Sequence, residues 1–194
     1  MEQAKVDAIM AYALKQNGLT VKTIGSKSFV VRRPVFHNRK FSASQKAVQA
    51  RFRRANRYAS KVMSDPRARA CYEMAAQRKE MSVLRIIVAD YLYPPIVDQI
   101  DLSWYDGQPD SWIAIRATDD FEVVRVDVVI STTTGDPVEN GAAMCSDADP
   151  NWWFYAARTM LPAGTHARVE VTARDRPGNK TTRTENTSDG ACPL

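Results

Sequence analysis

The chain of 194 residues carries 27 Lys+Arg against 22 Asp+Glu and is 44% hydrophobic, enough apolar matter for one or two packed domains and too much for a disordered chain. No apolar run approaches the roughly 18 residues of a membrane span, and Glu2, Lys5, Asp7 and Lys15 interrupt the stretch where a secretory signal needs an apolar run. Cys71, Cys145 and Cys192 form no CxxC pair, which predicts a reducing, cytoplasmic setting and neither a disulfide framework nor a zinc site.

The charge is unevenly placed. Residues 1–95 hold 19 Lys+Arg and 6 Asp+Glu, whereas residues 96–194 hold 8 and 16. Residues 8–64 contain no acidic residue and 13 basic ones. Asymmetry of this size points the basic half toward an anionic partner. Tyr93-Pro94-Pro95 marks the change, because consecutive prolines end a helix and force extended backbone. The expected organisation is a basic helical domain with a hairpin over 1–93, a Pro-rich linker over 94–96, a β-sandwich over 97–187 and a tail over 188–194.

In chain order, Glu2–Gln16 has helical periodicity (Val6, Ile9, Met10, Ala13, Leu14) and Gly18 as its stop. Leu19–Ile24 and Ser28–Arg32 are β-branched runs around Gly25-Ser26-Lys27, a hairpin pattern. Ser42 with Gln45 three residues on is a capping-box start. Val48, Phe52, Ala55, Ala59 and Val62 then fall within an arc of about 80° on the helix that follows. Lys46, Arg53, Arg54, Arg57 and Lys61 fall on the opposite side, with Arg51 at the flank. Asp65-Pro66 is an N-cap and first-turn proline for a helix through about Lys79. Met81–Leu92 is apolar all round and reads as a buried helix.

From Ile96 the apolar period changes to two. Ile113, Ile115 and Ala117 alternate with polar or small residues; so do Val124, Val126, Val128 and Ile130, and Ala167, Val169, Val171 and Ala173. Weaker runs lie at Val97–Ser103, Pro137–Met144, Trp152–Arg158 and Lys180–Glu185. About seven short strands separated by Gly, Pro, Asp and Asn predict a two-sheet antiparallel sandwich. The expected class is therefore α+β and multidomain.

Three stretches carry a family resemblance. Ala117-Thr118-Asp119 leaves one strand, valines alternate through Val124–Val128, and Ala173-Arg174-Asp175-Arg176-Pro177-Gly178-Asn179 makes a turn before the last strand. Over about residues 96–187 the sequence resembles bacterial immunoglobulin-like domains, which implies a seven-stranded immunoglobulin-like sandwich and no particular activity. The whole arrangement is also similar to uncharacterised bacterial proteins with a basic helical part followed by an immunoglobulin-like part. In that topology the loops bearing Asp119, Asp120 and Asp175 emerge at one end, where three carboxylates can hold Ca²⁺. The alternative is that these residues are turn formers bonded to their own backbone.

For function, the helix face of Lys46, Arg53, Arg54, Arg57 and Lys61, with Arg32, Arg33, Arg39 and Lys40 preceding it, suits phosphates, since guanidinium forks match phosphate oxygens. Charge pairing within the chain or with a neighbouring copy, or plain solvation, would use the same residues. Trp152-Trp153-Phe154-Tyr155 offers one pair to a core and the other to packing or a partner. His37 and His166 have no nucleophile or ligand spacing around them, and Cys71 reads as an inert helical thiol. No nucleophile elbow, phosphate loop or zinc-protease motif occurs. The expectation is a non-enzymatic protein without cofactor, membrane or small-molecule substrate. Its basic module would bind DNA or RNA backbone and its sandwich would contact protein. The alternative is a structural subunit that self-associates through basic-to-acidic contacts, as in a particle, filament or phage-like component.

Overall fold

The computed structural model describes residues 12, 14, 16–24, 27–32 and 40–187. Most of the helix expected over Glu2–Gln16, together with Arg33, His37, Arg39 and the segment 188–194 with Cys192, lies outside the described residues. The chain forms two compact units, Met1–Gln45 and Lys46–Leu194.

In the first unit, β1 (Leu19–Ile24) and β2 (Lys27–Arg32) make the expected antiparallel hairpin, with Leu19 opposite Arg32 and Val21 opposite Val30. The capping box also forms. Ser42 N donates to Gln45 Oε1 at 3.0 Å and Gln45 N donates to Ser42 Oγ at 3.2 Å, which satisfies donors that the first turn otherwise leaves unpaired.

Three helices follow: α1 (Ala43–Ser64), α2 (Pro66–Lys79) and α3 (Val83–Leu92). Asp65 caps α2 by accepting from Arg67 N and Ala68 N, and Ser82 caps α3 by accepting from Arg85 N. Replacing Asp65 by alanine removes an acceptor worth about 1 kcal/mol. A fall in thermal midpoint of about 2–4 °C is the expected result by scanning calorimetry.

The helices share a core of Ala59, Val62, Tyr72, Ala75, Ala76, Ile86 and Ile87. The apolar stripe predicted for α1 is only half used. Ala55, Ala59 and Val62 are buried, whereas Val48 and Phe52 are 58% and 49% exposed. Length explains Val48: 22 residues of α1 extend about 33 Å, while the 14 and 10 residues of α2 and α3 extend about 21 and 15 Å and leave its first turns uncovered. Phe52 instead lines an open groove against α3. Likewise α3 is not buried all round, because Leu84 and Arg85 on its outer side are exposed.

Residues 96–186 form eight strands in two four-stranded antiparallel sheets. They are β3 (Ile96–Asp101), β4 (Trp112–Thr118), β5 (Val123–Thr132), β6 (Pro137–Ala142), β7 (Met144–Cys145), β8 (Trp152–Ala156), β9 (Ala167–Asp175) and β10 (Lys180–Asn186). One sheet has the order β3-β4-β8-β7 and the other β10-β9-β5-β6. Seven runs were expected. The extra strand arises because 137–145 breaks at buried Ala143, so that β6 pairs with β5 in one sheet and β7 with β8 in the other.

The period-two pattern explains the layers, since every second residue of β4, β5 and β9 points to one face. Ile113, Ile115, Ala117, Val126, Val128, Ile130, Val169, Val171 and Ala173 are all buried and belong to one core. Trp153 and Tyr155 supply the inward aromatic pair, and Trp152 and Phe154 face out, as alternation requires. At about 25 cal/mol per Å² of apolar surface removed from water, this core is the main stabilising term of the β part.

Candidate nucleic-acid interface and a buried carboxylate cluster

The sequence of α1 contains no Asp or Glu, so no acid within the helix neutralises its bases, and Asp65, four residues after Lys61, caps the next helix. Lys46, Arg53, Arg54, Arg57 and Lys61 are all exposed, and within the described residues their side chains form no ion pair or hydrogen bond. They extend over about 22 Å of helix axis. Elsewhere the contrast is clear: Arg69 pairs with Glu73 at 2.8 Å, and Arg125 and Arg174 both pair with Asp127. Arg51, at the flank, turns inward and donates to the Leu92 carbonyl at the end of α3, which ties the two helices together. Arg32 and Lys40 are exposed; Arg33 and Arg39 fall outside the described residues. Asn56, a potential base reader, donates to the Phe52 carbonyl at 3.0 Å. That leaves cationic tips as the chemistry of the outer face.

On the apolar side of α1 lies a groove against α3. A cavity of about 590 Å³ is lined by Phe52, Leu84, Val88, Ala89, Leu92 and Tyr93, among others. Lys79 and Arg85 stand on its rim.

The second arrangement joins the helices to the sheet loops. Tyr72 of α2 stacks on Phe121 with ring centroids 4.1 Å apart, and its hydroxyl donates to Asp90 Oδ2 of α3 at 2.5 Å. Asn179, in the turn before β10, donates through Nδ2 to the carbonyls of Asp90 and Tyr91, both at 3.3 Å. These are carbonyls in the last turn of α3, which lack helical partners.

Asp119 and Asp175 are turn formers. Asp119 Oδ2 accepts from Phe121 N and Glu122 N, and Asp175 Oδ1 accepts from Gly178 N and Asn179 N. They are also brought together, as the sequence suggested, but the third member is Asp90 and not Asp120. One oxygen of each of Asp90, Asp119 and Asp175 lies within 4.8 Å of the others. Asp120 is exposed and stands outside this group; its backbone carbonyl accepts from Lys79 Nζ at 2.5 Å. Asp90 is 0% exposed and Asp175 2%. Burial, with the neighbouring Asp119 and Asp175 charges, pushes the Asp90 carboxyl up to about 7 despite the Tyr72 hydrogen bond. Burial also raises Asp175, against the lowering effect of its bonds from Asn179 and Gly178. Sequence reasoning missed Asp90. The signal was present, since it is the only acid in a helix whose one other charge is Arg85, and a buried charge there needs a partner.

His166 is exposed, and Cys71 is half-buried with its thiol directed at the Arg67 carbonyl, 3.7 Å away. No helix among the described residues is long and apolar enough to cross a membrane.

No model of a known protein family matches the chain, and no curated protein does. Among solved structures it is similar to CopC from Methylosinus trichosporium OB3b. The identity is 15%, with 47% of this chain and 89% of that chain covered and a TM-score of 0.37. Likeness at that level carries no argument about fold or function.

Proposed function

We propose that the protein is a non-enzymatic binding protein that grips a polyanion, DNA or RNA backbone, through the outer face of α1. One observation carries this reading. Five cations on a helix without a single acid stand exposed and make no ion pair among the described residues, although residues 96–194 hold an excess of acid. Arg and Lys tips in a row release counterions when they meet phosphates, and this gives strong, salt-dependent binding with little base readout. Filter binding of the full chain to a labelled duplex and a labelled RNA at about 50 and 200 mM salt tests the proposal, because several phosphate contacts weaken binding steeply over that range. Retention at the lower salt and loss at the higher is expected; no retention at the lower salt removes the reading.

For the β part we propose an immunoglobulin-like sandwich used for protein contact. The strand order supports it. Taken in chain order as A, B, C, C′, D, E, F and G, the sheets read A-B-E-D and G-F-C-C′, the connectivity of that fold with one added edge strand.

A second reading, a self-associating subunit, is favoured by the exposed Val48 and Phe52 and the adjoining apolar groove. Sedimentation across a salt series without nucleic acid separates the two: the subunit reading requires assembly, and the polyanion reading requires a species that does not grow as salt falls.

A further inference from the structure

We propose that Asp90, Asp119 and Asp175 form a calcium site that fastens the helices to the sheet loops, a role independent of the anion-binding face. The acids come from three separate places, α3, the β4–β5 loop and the end of β9, yet they converge within 4.8 Å. Among the described residues no Lys, Arg or His pairs with any of them; their partners are Tyr72, Asn179 and backbone amides.

Two oxygens stay unsatisfied. Asp90 Oδ1 and Asp119 Oδ1 are buried and accept no hydrogen bond. Asp90 is wholly enclosed, so water cannot solvate its free oxygen from outside. Without a counter-charge such a group is driven toward its neutral form, as the raised Asp90 carboxyl shows; a bound cation removes that pressure. A divalent ion satisfies both orphan oxygens together and favours the ionised form of all three acids.

Geometry and hardness select the ion. All candidate ligands are carboxylate oxygens, which suit hard cations. Three atoms within 4.8 Å of one another surround a common centre at most about 2.8 Å from each if the triangle is regular, so a small inward rotation of the carboxylates brings them to the roughly 2.3–2.6 Å of Ca²⁺–oxygen contacts. Asp119 and Asp175 are held by their own turns, which fixes irregular approach angles. Calcium tolerates these, whereas Mg²⁺ demands a near-ideal octahedron. Asp119 also lines an open cleft of about 400 Å³ with Glu122 and Asn151, so one member of the cluster borders solvent-accessible space.

The test uses the full chain stripped with chelator, then supplied with CaCl₂ or MgCl₂ while the thermal midpoint is recorded. Saturating Ca²⁺ is expected to raise the midpoint by about 5–10 °C, and Mg²⁺ at the same concentration by less than half as much. Asp119→Asn keeps an amide oxygen for the Phe121 and Glu122 amides but removes the charge, and is expected to abolish the shift. A measurement that needs no variant accompanies it. Tb³⁺ bound beside Asp90 is expected to emit on tyrosine excitation, because Tyr72 touches that carboxylate, and Ca²⁺ is expected to displace it. The proposal is overturned if Ca²⁺ leaves the midpoint unmoved, if the shift survives undiminished in Asp119→Asn, or if no Ca²⁺-displaceable Tb³⁺ emission is found.

Discussion

Replacing Arg53, Arg54 and Arg57 together by alanine is expected to flatten the salt dependence of polyanion binding more than it changes anything else. With five phosphate contacts, log K falls against log salt with a slope of about −4.5, a loss of roughly 500-fold between 50 and 200 mM. Two remaining contacts, Lys46 and Lys61, give a slope of about −1.8 and a loss of roughly 12-fold over the same range. All three arginines are exposed and make no ion pair among the described residues, so the substitutions should leave stability within about 0.5 kcal/mol per site. A lysine triple variant keeps the charges and is expected to keep the slope, although it loses the planar fork. Fluorescence anisotropy across a salt series reads all three proteins. An unchanged slope in the alanine variant would mean that the contacts lie elsewhere.

The largest expected loss of stability comes from Tyr72. Its side chain is fully buried, stacks on Phe121 and donates to Asp90, so a single residue of α2 reaches both α3 and the loop after β4. Tyr72→Ala removes an aromatic ring from a packed site, at a cost of about 3–5 kcal/mol, which corresponds to a fall in midpoint of about 10 °C or more. Tyr72→Phe keeps the ring and its stack but strips the hydroxyl from a buried carboxylate, for about 1–3 kcal/mol. The gap between the two variants separates packing from the hydrogen bond. Equal midpoints for Tyr72→Ala and the native chain would show that the helices do not depend on this contact.

Much of the local structure was legible because it rests on short-range chemistry. The Ser42–Gln45 box, the Asp65-Pro66 start and the alternation of β4, β5 and β9 are each specified within a few residues. The basic face of α1 was legible for the same reason, since 100° per residue separates Arg53, Arg54 and Arg57 from Ala55 and Ala59. What failed depended on how far other elements extend. Val48 and Phe52 share the apolar stripe, but α2 and α3 are too short to reach Val48, and Phe52 faces an open groove against α3. The break at Ala143 sends β7 to the opposite sheet, and a weak run such as Pro137–Met144 does not announce a change of partner. Asp120 sits beside Asp119 in sequence, yet the Asx turn of Asp119 directs the two side chains differently, and only the fold could bring Asp90 to Asp175 across 85 residues. Asn179 is a further case: its place in the Asp175–Asn179 turn was readable, but not its role at the end of α3.

The most direct test of an anion-gripping helix is an amide-resolved NMR titration of the native chain with a short DNA duplex at low salt. Shift changes are predicted to follow one face of α1, at Lys46, Arg53, Arg54, Arg57 and Lys61, and to reverse as salt is raised. Changes confined to the sheets or to the groove around Leu84 and Tyr93, or no changes at all, would contradict the account.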